Sequence, residues 1–572
     1  MPLDRMEPSS ANRSRAVTSI ALGILVLAIV VVFAPIVGHD LTLWDDSFNL
    51  WLNPRMNPPT LESLRYYWAH EAFGLYAPLT YSVWLLLAWL GRLPEPSALG
   101  VQIDPAYFHG ASLALHVVAA ILVWALLRRL VRDDLAAVVG AGAFALHPLQ
   151  VETVAWAAGL KDLLSSTLSL LSLGLYVAAI ELDDGRRNRR RALFAAATLS
   201  FVLALLAKPG AIVVPAIAFA VAVWGLGRPA RGIALGLLPW IGASLAFAFL
   251  VWMTQATHSV VPTPLWARPI LAGDTLTFYA FKLAWPARLG IDYGWQPLGL
   301  LRTAWFYVLW VPSAALLAWL WRSRASRPWA WAGAAVFVAA VFPVLGFVPF
   351  IFQKVSHVAD HYLALALLGP ALVLASLVAR HPTPFARALA VVAVALLGAR
   401  SAVQVTTWQN DETLFRNAIG VNPASHTCWY HLGYAQRLRG ELPAAERSLR
   451  TAIRLDATAW EPRHHLASVL LDSGRELESA MQMREAIALR SNEPGYREQD
   501  SLGDRIGMGE AFLSAGRFDD AIEEFRIVLR HRPTDGPARF GLLRAETARA
   551  RAAASTDSSA VAAGADGEMP LR

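Results

Sequence analysis

Up to Val405 the chain is a succession of long apolar runs broken by short polar ones; beyond it, apolar residues recur at helical spacing among charges. Runs long enough to cross ~30 Å of hydrocarbon, about 20 residues each, lie at 16–37, 106–130, 135–156, 163–180, 192–207, 211–226, 233–253, 303–321, 330–352, 362–378 and 386–405. This pattern predicts about eleven transmembrane helices. Two more apolar stretches, 76–90 and 270–285, are short or bounded by proline and rich in aromatics. They read as interfacial helices within outer loops at 38–105 and 254–302.

After residue 406 the pattern repeats. Trp429, Leu432, Gly433, Gly440, Ala445 and Ala452 are answered 34 residues later by Leu466, Ala467, Gly474, Ser479 and Ala486, and then by Gly509, Gly516, Ala521, Phe525 and Pro533. Small residues where paired helices cross, with a proline closing the last pair, form the tetratricopeptide signature. A partial unit, Phe415, Ala418 and Pro423, precedes these pairs, and about eight extra residues at 491–500 interrupt the period as a loop insertion. The expected organisation is all-α: an N-terminus at 1–15, a polytopic membrane domain at 16–406 and repeats at 407–542. A capping helix and disordered tail are expected at 543–572.

Composition agrees with the pattern. The chain is 56% hydrophobic, with mean hydropathy +0.42 and only 16% charged residues, which excludes an ordinary soluble protein. The net charge of +7 comes from arginine clusters between the apolar runs, at 128–132, 186–191, 228–231, 322–327 and 380–387. All of them fall on the inside if the N-terminus is cytoplasmic, so the basicity reads as topology rather than nucleic-acid binding. The first run follows Arg13 and Arg15 without a cleavage site and reads as an uncleaved span. A single cysteine, Cys428, excludes an internal disulfide framework.

The outer loops and turns then carry the chemistry. Asp45 and Asp46 follow the first span directly, where either a helix cap or a catalytic acid is a sufficient reason for a carboxylate. The chain has four lysines, Lys161, Lys208, Lys282 and Lys354, and all fall on the outer side. Snorkelling explains lysines near helix ends; a compact ammonium facing a phosphate explains why arginine is absent from these positions. His147, Glu152 and Asp162 flank Lys161, and His357, Asp360, His361 and Tyr362 sit beside Lys354. His109 and His116 share one helix face, seven residues apart. No His/Glu spacing typical of zinc is present, and the paired acids leave two options open, holding a divalent ion or working without one.

The run from His147-Pro148-Leu149-Gln150-Val151-Glu152 to Trp156, continuing to Lys161-Asp162-Leu163-Leu164-Ser165, resembles the transmembrane and tetratricopeptide-repeat-containing proteins and their bacterial relatives. So do Trp44-Asp45-Asp46, Ala77-Pro78-Leu79-Thr80, the 109–116 segment, Ala359-Asp360-His361-Tyr362 and Thr407-Trp408 through Asn422-Pro423, covering nearly the whole chain in order. The resemblance implies a GT-C type membrane glycosyltransferase of a bacterial inner membrane, with its repeats in the periplasm. It would move a mannose-like hexose from a polyprenyl-phosphate carrier to an extracytoplasmic acceptor, with inversion; protein Ser/Thr is the favoured acceptor, a glycolipid or cell-wall polymer the alternative. It also implies that Asp45 or Asp46 is the acidic catalytic position. Lys161, Lys208, Lys354 and His361 would bind the donor phosphate, supported by His109, His147, Glu152, Asp162, His357, Asp360 and Tyr362. The chain departs from its relatives at Leu160 and His361, where they carry arginine, at Ser112, where they carry asparagine, and at Ala77, where histidine is common. The competing expectation is a non-enzymatic membrane-anchored scaffold, for which one anchoring helix would suffice.

Overall fold

The structure, a computed structural model, describes residues 8–96, 101–254, 260–493 and 496–565. Among them no strand forms, only isolated bridges at Ala72–Leu75 and Arg92–Ile103. The chain divides into two compact units, Met1–Pro423 and Ala424–Arg572.

In the first unit, α1 (Pro8–Phe33) runs into a 3-10 turn, Ala34–Gly38. Its Leu25, Ile29 and Phe33 are buried, while Ile20, Ile24, Leu27 and Val31 are exposed. A helix that is apolar on both its packed and its open face is suited to crossing a membrane. The outer loop that follows contains α2 (Leu61–Ala69) and α3 (Pro78–Leu90). Then come α4 (Pro105–Val131) and α5 (Asp134–Ala145), with α5 bent by 51° against the Pro148–Ala155 segment that ends in α6 (Val151–Ala155). His116 Nε2 meets the Ala145 carbonyl at 2.9 Å, satisfying a backbone group that the bend leaves open. The antiparallel pair α7 (Leu160–Ile180) and α8 (Arg187–Ala207) leads to α9 (Val214–Ala220) and α10 (Ala230–Thr254). The unit is completed by α11 (Arg268–Ala284), α12 (Pro297–Leu300), α13 (Phe306–Arg322), α14 (Pro328–Val341), α15 (Leu368–Arg380), α16 (Pro384–Val405) and α17 (Asp411–Val421).

Among the described residues six helices are long and apolar enough to cross a membrane: Ala16–Gly38, Pro105–Val131, Leu160–Ile180, Arg187–Ala207, Ala230–Met253 and Pro384–Trp408. The bent pair makes seven if it counts as one span. By length and composition this is fewer than the expected count of about eleven. The other four apolar runs are helical but shorter, at Pro209–Gly225, Phe306–Arg322, Pro328–Val344 and Leu368–Arg380. Hydropathy counts residues whether or not they hold the helical rise. The run at 330–352 leaves its helix through Pro343, Gly346 and Pro349, and residues Asp360–Leu363 wind as a 3-10 turn ahead of α15. The two stretches expected as interfacial helices form α3 and α11. Each buries one face against the unit, through Tyr81, Trp84 and Ala88 in α3 and Leu271, Thr275 and Tyr279 in α11.

The unit boundary falls at 423/424 rather than 406/407 because the partial repeat helix α17 packs on the first unit. Asn417 donates to the Leu289 carbonyl at 2.8 Å, and Val421 lies against Gly290, where an added Cβ would come within 3.1 Å of its side chain.

The second unit stacks helix pairs α18 (His426–Leu438) with α19 (Leu442–Leu455), α20 (Glu461–Asp472) with α21 (Glu476–Arg490), and α22 (Leu502–Ser514) with α23 (Phe518–His531). Each pair turns at a glycine of positive φ, Gly440 at 77°, Gly474 at 73° and Gly516 at 74°, as a left-handed helix end requires. Gly433 shows why the crossing position is small: a Cβ there would meet Leu449 Cγ at 2.7 Å. A last helix, α24 (Gly536–Ala565), lays Ala538 and Ala545 on Phe525 and Val528 and closes the core. It is helical through to Ala565 where disorder is expected, in keeping with its alanine-rich sequence; residues 566–572 lie outside those described. Of the insertion at 491–500, the described part winds into a 3-10 turn, Glu498–Ser501.

Candidate active site

The two adjacent aspartates after the first span have opposite surroundings. Asp46 is 1% exposed. Its Oδ2 accepts from the Thr42 amide and the Thr42 hydroxyl, both at 2.9 Å, and its Oδ1 accepts from the Ala158 amide at 2.8 Å. Burial pushes its carboxyl up to about 7, against those three donors, which favour the charged form; the Asp45 charge adds to the rise. Asp46 is therefore a clasp between the loop and the turn after α6. Asp45 stands in the left-handed region, at φ 61°, with its side chain exposed. Among the described residues nothing donates to its carboxylate, while its carbonyl accepts from the Asn49 amide and Nδ2, each at 3.0 Å. Asn49 is held in turn by the Tyr81 hydroxyl at 3.0 Å, and Tyr81 stacks on Tyr67 at 4.1 Å. A non-glycine residue in this backbone region persists only where its surroundings hold it.

An aromatic floor joins this loop to the lysines. Trp156 Nε1 donates to the Trp44 carbonyl at 2.8 Å, and the Lys161 ammonium sits 4.4 Å from the centre of the Trp156 ring. Trp156 packs on His361 at 5.6 Å, His361 on Tyr362 at 4.3 Å, and Phe352 reaches both His361 and Trp44. His361 Nδ1 pairs with Glu152 Oε1 at 2.7 Å, and Glu152 Oε2 accepts from the Asp360 amide at 3.1 Å. Lys208 pairs with Asp162, and burial pushes the Lys208 ammonium down while Asp162 opposes that shift. The Tyr362 phenol is raised well above its ordinary value, chiefly by burial, and the charges of Asp162, Glu152 and Asp45 all act on it. Asp45, Glu152, Asp162, Lys161, Lys208, His361 and Tyr362 thus gather around one region.

The other expected site residues sit elsewhere. His147 caps its own turn, accepting from the Leu149 amide at 3.2 Å through Nδ1 and meeting the Leu283 carbonyl at 3.2 Å through Nε2. His109 lies edge-on to His39 at 6.3 Å. His357 is held by Gln353 at 3.0 Å, and burial pushes it down to about 4, so it is neutral. Lys354 is exposed beyond Phe352, and among the described residues no group pairs with its ammonium.

Asp360 belongs to a neighbouring network that the sequence reading missed. Its Oδ1 accepts from the Tyr293 hydroxyl at 2.8 Å; burial raises its carboxyl well above the ordinary range, and the Glu152 charge adds to this. Lys282 lies 4.8 Å from the centre of the Tyr293 ring and donates to the Ala287 and Arg288 carbonyls at 2.9 and 3.0 Å. The available signal was that Lys282 is one of four lysines; its partners became visible only in the fold. Among the described residues no group of three His, Cys, Asp or Glu side chains is placed to hold a metal ion.

An apolar cavity of about 610 Å³ lies between α11, α13, α14 and α15, lined by Leu276, Leu283, Leu316, Phe337, Val373 and Leu374 among others. Its lining residue Leu283 is also the one whose carbonyl His147 contacts.

No protein-family model matches the chain, and no curated protein matches it. Among solved structures the chain is similar to a MamA protein, at 18% identity with a TM-score of 0.22, covering 31% of this chain and 93% of that one. It is also similar to the P58(IPK) TPR domain, at 13% identity and TM-score 0.19 over 66% of this chain and 99% of that one. A third is the APC/C hetero-tetramer Cut9-Hcn1, at 14% identity and TM-score 0.20 over 77% and 86%.

Proposed function

We propose that the chain is a GT-C type membrane glycosyltransferase that moves a mannose-like hexose from a polyprenyl phosphate to an extracytoplasmic hydroxyl, with Asp45 as general base. The observation that carries this reading is the Asp45 carboxylate: exposed, with no donor to it among the described residues, held in a left-handed turn, within electrostatic reach of Tyr362 against His361, and next to Trp44, whose carbonyl holds the Trp156 ring under Lys161. In the proposed step the acceptor oxygen forms a bond to the anomeric carbon while that carbon's bond to the phosphate oxygen breaks, with inversion. The hydroxyl proton passes to Asp45, and polyprenyl phosphate leaves. The positive charge of Lys161 and Lys208, with a donor N–H from His361, stabilises the charge that collects on the leaving phosphate. Asp46 acts by fixing the loop, and the isoprenoid chain takes the apolar cavity beside Leu283.

In this reading the shorter apolar helices complete a bundle of about eleven crossings. The N-terminus is cytoplasmic, the membrane is a bacterial inner membrane, and the repeats face the periplasm and hold an extended protein acceptor by Ser/Thr-bearing segments. The test is a comparison of envelope glycoproteins and glycolipids from a deletion strain complemented with wild type, Asp45→Asn, or a chain lacking 424–565. Loss of a sugar modification with Asp45→Asn at normal protein level supports the transferase. Unchanged glycans, with a phenotype only on deleting the repeats, would establish a membrane-anchored scaffold instead.

A further inference from the structure

The stretch that leads into the repeat array is tied directly to the loop carrying the proposed base. Asp411, in the first turn of α17, accepts from the Leu43 amide through Oδ1 at 2.7 Å, and the Gln409 carbonyl accepts from the Asp40 amide at 3.1 Å. Trp408 packs on Trp156 at 6.3 Å, the ring whose Nε1 holds the Trp44 carbonyl. Trp44 through Asp46 are therefore gripped from three sides, by Asp411 through Leu43, by Trp156 through Trp44 and by Ala158 through Asp46. The first of these comes from a residue 368 positions further along the chain.

We propose that Asp411 is a positioning residue for Asp45: by fixing the Leu43 amide two residues ahead of the left-handed turn, it holds the base in its reactive placement and makes the entry to the repeat array part of the active site. What Asp45 does chemically rests on the transferase reading above; that Asp411 orders its loop does not. The segment has the sequence of a repeat helix, with Asn410 as its N-cap and a reciprocal hydrogen bond to Thr413, yet it packs on the first unit. A short, well-capped helix whose first-turn carboxylate reaches outward to a distant amide is a means of setting a loop from outside it. An asparagine at 411 keeps the accepting oxygen; an alanine does not.

The experiment uses full-length protein in nanodiscs and two readouts. Amide hydrogen exchange is followed in peptides spanning 41–49, and turnover is measured with a short-chain polyprenyl-phosphate mannose as donor probe. Asp411→Ala is expected to speed exchange in 41–49 by about tenfold or more, with peptides of the repeat unit unchanged, whereas Asp411→Asn stays within about threefold of wild type. Turnover follows the same order, with kcat lowered about tenfold in Asp411→Ala, KM for the donor unchanged and rescue in Asp411→Asn. Wild-type exchange in Asp411→Ala, acceleration spread evenly over the chain, equal effects of both substitutions, or a looser loop with unchanged kcat would each overturn the proposal. Failure of the transferase reading is recognised separately, by Asp45→Asn turning over as fast as wild type.

Discussion

Both units bury an apolar core, but they differ in where they keep their charges. The first has apolar stripes on its outside, such as Ile20, Ile24 and Leu27 on α1 and Leu238, Leu245 and Phe249 on α10, while Asp46, Glu152, Asp162, Lys282 and Asp360 lie inside. The repeat unit has Leu449, Phe512 and Phe525 inside and charges outside, paired as Arg437–Asp472 at 2.7 Å and Arg544–Glu510 at 2.8 Å. In the repeats most charges are solvated surface features of small energetic consequence, the buried Glu524 paired with Arg505 at 2.6 Å excepted. In the first unit a buried charge costs enough to need a partner, and the partners are there: Lys208 with Asp162, His361 with Glu152, three donors on Asp46. Two acids of the first unit depart from that background among the described residues: Asp274, buried with neither carboxylate oxygen hydrogen-bonded, and Asp45, exposed beside the buried network with no donor to its carboxylate.

The contrast can be broken from either side. The largest stability effect is expected in the repeats, where Phe525→Ala should cost about 4 kcal/mol by opening a cavity under α24. Calorimetry should show the repeat transition falling and the membrane transition unmoved. In the first unit, Lys208→Met leaves Asp162 buried and alone, at a cost of about 3 kcal/mol. Adding Asp162→Leu should restore most of that, and failure to do so would mean the pair serves more than its own neutralisation.

A third effect is pH-dependent. With its native value raised to about 7, Asp46 holds more protons folded than unfolded above about pH 4. Its contribution to stability is therefore fully present below that pH and is lost as pH rises through 7. The melting gap between wild type and Asp46→Asn should be wider at pH 5 than at pH 8; a gap that widens with pH would show Asp46 charged throughout. The smallest effect is Arg437→Ala, at most about 1 kcal/mol and reduced further by salt.

These features were unequally legible in the chain. The repeats could be read from spacing alone because their contacts are local: Gly433 meets Leu449 within one helix pair. The Asp45–Asp46 loop and the Lys161 and Lys208 turns could be located because charge at the end of an apolar run is conspicuous. Which aspartate is free could not be read, since that is decided by the Ala158 amide 112 residues away and by one backbone dihedral. The Tyr293–Asp360 and Leu43–Asp411 bonds are equally long-range. The number of spans was less legible, because apolar composition continues through the prolines that end the helices.

The most direct test of the account sets the two aspartates against each other in one purified preparation, measuring sugar transfer and thermal unfolding for Asp45→Asn and Asp46→Asn. The account predicts that Asp45→Asn lowers transfer by about 100-fold or more at an unchanged melting temperature, while Asp46→Asn lowers the melting temperature and reduces transfer only as its loop loosens. Equal transfer by Asp45→Asn and wild type, or complete loss on Asp46→Asn at an unchanged melting temperature, would contradict it.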